Sequence, residues 1–305
     1  MTTFNDMIEK VWRRVTSGAI DATVQLASAL DATTTSFNVN PSSTNAIRVG
    51  GLLACDLEVM YITGWNSGAG TVTVVRGYVG SPAQAHAQNA LVYCNFHFSR
   101  FDASVALNDE LLRLSSPDLG LFQVGVSTVT YNPVYMGYDL GTIPTNFLDV
   151  LEIRHKIPFP TRNYPKISKW KVLRSIPDST VFPSGAGIVI YEGGYPGQPF
   201  YIQYSAPFTT VDVTVPANLT ADVTTLTGLS PTMLDIPPLG AEIQIVLPRE
   251  IRRNFMDVQP DPRKAPEVPS MAVSNSVQAL TILYNERVGE EAARLQRQYT
   301  RTEGW

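Results

Sequence analysis

The stretch EVMYITGWNSGAGTVTVVRG, residues 58–77, predicts a β-hairpin. Its two ends, 58–63 and 71–75, are rich in β-branched and aromatic residues, which favour extended strands. The NSGAG sequence between them supplies glycines, which adopt the positive backbone angles of a tight loop without strain. Arg76-Gly77 then ends the second strand, so the pattern places two antiparallel strands side by side.

Strand patterns continue on both sides of this hairpin and predict a small β module at residues 19–98. The predicted strands cover residues 24–29, 37–39, 57–63, 72–75 and 91–96. The module contains the only two cysteines, Cys55 and Cys94, which are too few for a disulfide scaffold. We expect both to be buried thiols, and a bridge between them is an alternative that the spacing does not support.

Apolar residues recur at helical spacing in three segments, at residues 1–18, 99–117 and 271–305. In the first segment Thr3 is positioned as a cap, and Gly18 follows the last turn. Short helices are marginal alone because most of their stability comes from packing of the apolar stripe. We therefore expect the N-terminal, middle and C-terminal helices to pack as one bundle from which the β parts project.

Residues 118–232 predict a β-sandwich, with turn-forming glycines and prolines between successive strands. Its predicted strands cover residues 123–131, 150–155, 169–175, 187–191, 200–204 and 211–215. Residues 233–256 favour a helix with prolines in its first turn, and a strand at 243–247 is the alternative. Residues 257–270 hold four prolines among charges and predict an extended arm. The expected fold class is α+β, mainly β, with a small β module, a β-sandwich and flanking helices.

The composition excludes several functional classes. The chain has 305 residues, of which 44% are hydrophobic and 16% charged, enough for one large core or two modest ones. A net charge of -4 gives no electrostatic footprint for wrapping nucleic acid or coating an anionic membrane. No apolar run approaches the roughly 20 residues of a membrane-spanning helix, and no secretory signal pattern opens the sequence. We therefore expect a soluble protein that is neither secreted nor inserted into a membrane.

The sequence contains no motif that carries catalysis or binds a cofactor. Its three histidines, His86, His97 and His155, lie in separate segments without the helical pair or the Cys/His spacing of a zinc site. The glycine pairs lack the spacing that cradles a phosphate, and there is no Gly-x-Ser-x-Gly nucleophile elbow. We predict no catalytic, cofactor-binding or metal-binding residues, no enzymatic activity, and a structural or solvated role for His86.

An aromatic zone in the predicted sandwich has two interpretations. Its tyrosines either stack on sugars or belong to the core and the hairpin faces of the sheets, which is the commoner use; they are Tyr191, Tyr195, Tyr201 and Tyr204. Acidic residues that a glycosidase would need, such as Asp149, Glu152 and Glu192, show no spacing that singles out a pair.

Arginine and aromatic residues near the C-terminus predict a protein interface, because these types are favoured at interface centres. A solvated helix face is the alternative, and the sequence leaves both open. With two arginines from the preceding helix, the candidate interface residues are Arg252, Arg253, Arg287, Arg294, Arg297, Tyr299, Arg301 and Trp305.

Residues 58–87 resemble a hairpin module that is widespread in bacteriophage virion proteins. The resemblance rests on the acidic Glu58 before a Met-Tyr pair, on the Val-x-Arg-Gly strand end at residues 74–77, and on His86 after a small-residue segment. Ser81-Pro82 stands where threonine is commoner. Four further stretches, residues 114–124, 182–185, 204–208 and 252–255, also resemble phage structural proteins.

The arrangement of terminal helices around β domains is similar to that of head-to-tail connector proteins, the neck adaptors of short-tailed phages. The resemblance implies a homo-oligomeric ring of about twelve copies beneath the portal protein. The terminal helical segments would dock to the portal, the sandwich would contact the tail nozzle or fibres, and genomic DNA would pass through the lumen without specific binding. The protein would then belong to the neck or tail of the virion, assembled in the bacterial cytoplasm. A tail fibre or a receptor- or carbohydrate-binding tail protein is the alternative.

Overall fold

The computed structural model describes residues 2–16, 21–41, 45–158, 163–257 and 272–299, with the backbone alone described for 248–257 and 272–276. About 30% of the chain is helical and 29% is strand, so the fold class is α+β. The chain divides into two compact units. Unit 1 comprises stretches of Met1–Glu110, Thr210–Leu226 and Leu234–Tyr284, and unit 2 comprises the intervening stretches and the C-terminal one.

Helices and strands alternate in blocks along the chain. In the part of the chain that the structure describes, the six α-helices, α1 to α6, are Phe4–Val15, Arg100–Leu114, Pro216–Thr220, Val223–Thr227, Ile236–Asp257 and Ala272–Gln298. The thirteen strands of the described residues, β1 to β13, are Ala22–Leu26, Ser36–Asn40, Leu52–Cys55, Glu58–Asn66, Thr71–Val75, Leu91–Cys94, Gln123–Thr130, Gly137–Asp139, Asp149–His155, Lys166–Ile167, Trp170–Arg174, Ala186–Ile190 and Pro199–Ala206.

The β part of unit 1 is a closed six-stranded barrel with the strand order β1-β2-β5-β4-β3-β6. The ring closes because β1 pairs antiparallel with β6, and closure leaves no free sheet edge. Residues facing inward alternate with exposed ones along β2 and β5, as in a half-buried strand. Between Ile62 and Gly64 the register of β4 against β5 shifts, and such a bulge lets a strand bend around a barrel.

One barrel strand differs from the prediction. The strand expected at 57–63 is β4, which begins at Glu58, whereas β3 at Leu52–Cys55 was not predicted. Three successive residues of β3 are buried, so no alternation marks it as a strand. The turn between β3 and β4 uses Asp56 at a φ of 52°, a position where a glycine would have signalled the turn.

The helical part of unit 1 includes α1, which buries Phe4, Met7, Ile8 and Val11. Thr3 and Asp6 form a reciprocal capping box at its start. This apolar stripe packs on α5. For residues 233–256 the sequence left a helix and a strand at 243–247 as alternatives, and the structure has the helix, with no strand at 243–247.

Helices α2, α5 and α6 meet in unit 1 at the fully buried Glu110. Tyr284 donates its hydroxyl to this carboxylate at 2.6 Å, and the side-chain amide of Gln244 donates to it at 3.0 Å. Gly240 of α5 lies directly against it. Helix α5, which the expected bundle did not include, thus contacts α1, and its Gln244 donates to Glu110 of α2.

Unit 2 contains a four-stranded sheet, β10-β9-β13-β7, and a three-stranded sheet, β11-β12-β8. Both sheets contribute to one buried apolar cluster, in which Ile153, Phe200 and Ile202 come from the larger sheet and Trp170 and Ile188 from the smaller. The neighbouring strands of each sheet are antiparallel.

The prediction of a strand at residues 211–215 is wrong. These residues form a turn in which Asp212 accepts hydrogen bonds from the backbone N–H and the hydroxyl of Thr214, at 2.9 and 2.6 Å. Pro216 then begins α3 at a position where its missing N–H costs nothing. The predicted arm at 257–270 lies outside the described residues, apart from Asp257 at the end of α5.

Candidate functional site

The most strongly interacting group of ionisable side chains in the barrel surrounds Glu58 at the start of β4. Arg76, which follows β5, binds its carboxylate with two hydrogen bonds, Nε to Oε1 at 2.5 Å and Nη2 to Oε2 at 2.7 Å. His86, in the segment before β6, places Nε2 2.9 Å from Oε2. All three side chains are almost completely buried, so each depends on the others for its charge balance.

Backbone groups complete this network. The backbone N–H groups of Gly77 and Gln84 donate to the Glu58 carboxylate at 3.2 Å each. Arg76 also donates to three carbonyl oxygens, those of Asp31, Thr34 and Gln84. The network therefore ties the β1–β2 connection and the segment before β6 to the β4–β5 hairpin.

The pKa values of the two titratable partners move in opposite directions. Burial alone would raise the pKa of Glu58, but hydrogen bonds from Arg76, His86 and Gln84, with the arginine charge, lower it to about 2. Burial would lower the pKa of His86, but its contacts with Asp56, Cys55 and Glu58 raise it to about 11. At neutral pH the carboxylate is ionised and the imidazole carries a proton on each nitrogen.

The second ring nitrogen of His86 faces the β3–β4 turn. Its Nδ1 lies 3.0 Å from Oδ2 of Asp56, whose side chain is 67% exposed. The Sγ atom of Cys55 lies 4.0 Å from the same oxygen. One ligand atom from each of these three residues falls within 4.8 Å of the other two. The turn thus brings a thiol, a carboxylate and an imidazole together.

This arrangement limits the chemistry of the network. The Glu58 carboxylate is buried and accepts five hydrogen bonds, so it has no free direction from which to take a proton from a substrate. Asp56 is the member with a solvent-exposed side chain. Glu58, Arg76 and His86 therefore serve to hold the barrel together.

The predicted interface residues on α6 make contacts within unit 2. Arg294 donates to Glu291 at 2.6 Å, and Arg287 pairs with Glu290 and donates to the backbone oxygen of Thr232. Tyr299 is half-buried and lies against the ring of Phe122, with 6.4 Å between centroids. Arg297 is exposed.

The side chains of the other four predicted interface residues lie outside the described residues. Arg252 and Arg253 lie on the helical backbone of α5, and their side chains are outside the described residues, as are Arg301 and Trp305 entirely. The described side chains of the predicted interface are therefore those of Arg287, Arg294, Arg297 and Tyr299.

The tyrosine zone divides between core and surface. Tyr204 packs against the unit 2 core, whereas Tyr191 is more than half exposed. Tyr201 meets Tyr164 edge to face, and with Arg154 these two line a small open pocket of about 260 Å³. That volume is below the usual range of ligand pockets, about 300–1,000 Å³.

Three titratable candidates, His97, His155 and Cys94, remain. His97 is largely exposed and contacts Asp21 at 2.6 Å. The Nδ1 atom of His155 is buried without a hydrogen-bond partner. Cys55 and Cys94 are both buried free thiols, which confirms the expectation for them, and burial raises the pKa of Cys94 to about 11.

No protein-family model matches the chain, and no curated protein matches it. Among the described residues, no helix is long and apolar enough to cross a membrane.

Sequence reasoning missed Asp56 and the partners of His86. The available signal was the phage-like hairpin pattern itself, since its acidic residue, its arginine and its histidine are the three residues that meet in the barrel.

Proposed function

We propose that this chain is a non-enzymatic structural protein of a bacteriophage virion, a neck adaptor that joins the portal to the tail. In this role it forms a ring of about twelve copies, as the resemblance implies. Its partners are the portal protein on one side and a tail nozzle or another tail protein on the other. DNA passes through the lumen without specific binding.

The observation that carries the proposal is the location of the resembling residues. Glu58, Arg76 and His86, by which residues 58–87 resemble the phage hairpin module, are the three buried members of the ion network. The resemblance thus concerns the interior of a barrel and not an accessible active site. A buried network that stabilises the barrel fits a protein whose task is assembly.

The two sheets of unit 2 support the assignment of a tail-contacting domain. We interpret them as the predicted β-sandwich, because both sheets bury side chains in one core. The connection between β7 and β8 exposes three successive apolar side chains, with Val134, Tyr135 and Met136 at 79%, 61% and 70% exposure. Contiguous exposed apolar residues favour a protein contact.

The runner-up is a receptor- or carbohydrate-binding tail protein. The observation that favours it is the open pocket of Arg154, Tyr164 and Tyr201, which is lined by two aromatic rings and a cation. Because the pocket is smaller than usual ligand pockets, this function is less well supported than the adaptor function.

Light scattering of the purified protein, alone and mixed with the portal ring of the same phage, tests the proposal. A chain that joins the portal as a ring of about twelve copies supports the adaptor. A stable trimer that ignores the portal contradicts it and supports the receptor-binding alternative.

A charge reversal tests the predicted docking surface separately. Arg297→Glu on the exposed side of α6 is expected to weaken portal binding, whereas the control Lys171→Glu, an exposed strand residue of unit 2 with the same change of charge, is not. Equal binding by both variants would contradict docking through α6 and leave the ring itself to be judged by its stoichiometry.

A further inference from the structure

The β3–β4 turn holds three potential metal ligands at a spacing that suits one ion. Zinc binds nitrogen, oxygen and sulfur ligands at about 2.0–2.3 Å, so two ligand atoms of a tetrahedral site lie about 3.3–3.6 Å apart. The separation of His86 Nδ1 from Asp56 Oδ2 is 3.0 Å, and that of Cys55 Sγ from the same oxygen is 4.0 Å. One ligand atom from each of Cys55, Asp56 and His86 lies within 4.8 Å of the other two, and the Asp56 side chain, which would have to adjust, is exposed.

The imidazole of His86 is oriented as in a metal ligand. Its Nε2–H donates to Glu58 at 2.9 Å, and Glu58 is itself fixed by Arg76. Metal-binding histidines usually donate their other ring N–H to a carboxylate in this way, which fixes the tautomer and the ring plane. The outer partner is therefore already in place, and Nδ1 is the nitrogen directed at the turn.

The charges of the cluster also match a divalent cation. Arg76 balances Glu58, so that pair is neutral by itself. Once the metal has displaced the thiol proton of Cys55 and the Nδ1 proton of His86, the thiolate and the Asp56 carboxylate supply two negative charges beside a neutral imidazole. A thiolate with an imidazole favours zinc over the hard cations magnesium and calcium.

We propose that Cys55, Asp56 and His86 bind one divalent transition-metal ion, with zinc as the ion that their chemistry fits best. The geometry points to three protein ligands, with the fourth position filled by water on the side where Asp56 is exposed. Binding replaces the Nδ1 proton of His86 and the thiol proton of Cys55, so each ion releases two protons. The site is independent of the adaptor role.

Cobalt(II) titration of the untagged full-length chain tests the site, because a thiolate bound to cobalt gives an intense near-ultraviolet absorption. We expect one ion per chain with this absorption, which zinc then removes. Asp56→Asn is expected to weaken binding on the order of tenfold or more. Asparagine tolerates the left-handed backbone at this position, so the variant keeps the turn.

The two buried cysteines of the barrel provide a matched pair of variants. Cys55→Ala is expected to abolish the thiolate absorption, and Cys94→Ala, which removes the other buried thiol, is expected to keep it. Potentiometry at constant pH is expected to record two protons released per ion bound.

Three results would overturn the site. They are no thiolate absorption with the unaltered chain, retention of that absorption by Cys55→Ala, or unchanged affinity in Asp56→Asn. The last variant alters an exposed side chain, so its result does not depend on whether removal of the buried thiol disturbs the fold.

Discussion

Replacing Glu58 by glutamine is expected to destabilise the barrel by about 3 kcal/mol. The fall of the Glu58 pKa from its ordinary 4.5 to about 2 corresponds to about 3 kcal/mol, at 1.36 kcal/mol for each pKa unit. Breaking a buried ion pair by removing one partner costs about 3–5 kcal/mol, which agrees. The glutamine amide would also direct N–H groups at donors of Arg76 and His86.

Hydrogen exchange followed by mass spectrometry measures this effect locally, because the two units need not unfold together. Amides of β4 and β5 are expected to exchange about a hundredfold faster in Glu58→Gln, which is a loss of about 3 kcal/mol in opening free energy. Amides of β13 in unit 2 serve as an internal reference.

The matched control is Glu152→Gln in unit 2, which removes a carboxylate from a partly exposed pair with Arg154. Such surface pairs contribute about 0–1 kcal/mol, so its exchange is expected to change little. If Glu58→Gln altered barrel exchange no more than this control, the reasoning about the buried network would be refuted.

Three further predictions concern acidity and the helices. Because the Glu58 pKa is depressed, the stability that its ionised form gives the barrel is complete above about pH 4.5 and is lost as the pH falls towards 2. In acid unfolding, the free energy of unfolding of the barrel should therefore fall less steeply with decreasing pH in Glu58→Gln than in the unaltered chain. Gly240→Ala places a Cβ 2.2 Å from the Glu110 carboxyl carbon and should cost about 1–3 kcal/mol in urea unfolding, whereas Gly289→Ala on α6, with nothing within 4 Å, should stabilise by about 0.4–1 kcal/mol. Tyr284→Phe removes a 2.6 Å hydrogen bond to the buried Glu110 and should lower the free energy of unfolding by about 1–3 kcal/mol, measured in the same way.

The hairpin of β4 and β5 was predictable because its residues satisfy local rules. Alternating burial along β5 and the NSGAG loop both depend on neighbours in sequence. The same holds for α1, whose capping box joins Thr3 to Asp6 three residues away. Elements that depend on such local patterns can be predicted from the sequence alone.

Other elements depend on contacts that no local pattern records. The run at 211–215 has the β-branched composition of a strand, but the side chain of Asp212 forms a turn in its middle. His86 finds its partners because the barrel brings a segment about thirty residues away against the β3–β4 turn. Closure of the barrel, and therefore the candidate site, followed from strand pairing that the sequence did not reveal.

The interleaved composition of unit 1 has a consequence for how the chain folds as it is made. The six barrel strands are synthesised consecutively, from Ala22 to Cys94, whereas α1 contacts α5, which is synthesised much later. Arg14 and Glu242, which pair across these helices at 3.3 Å, are 228 residues apart, or about 11–46 s of synthesis at typical rates. During that interval the apolar face of α1 has no α5 to cover it. A nascent chain paused before Ile236 would therefore leave the apolar face of α1 without its α5 contacts, and Glu110 of α2 without Gln244 and Tyr284.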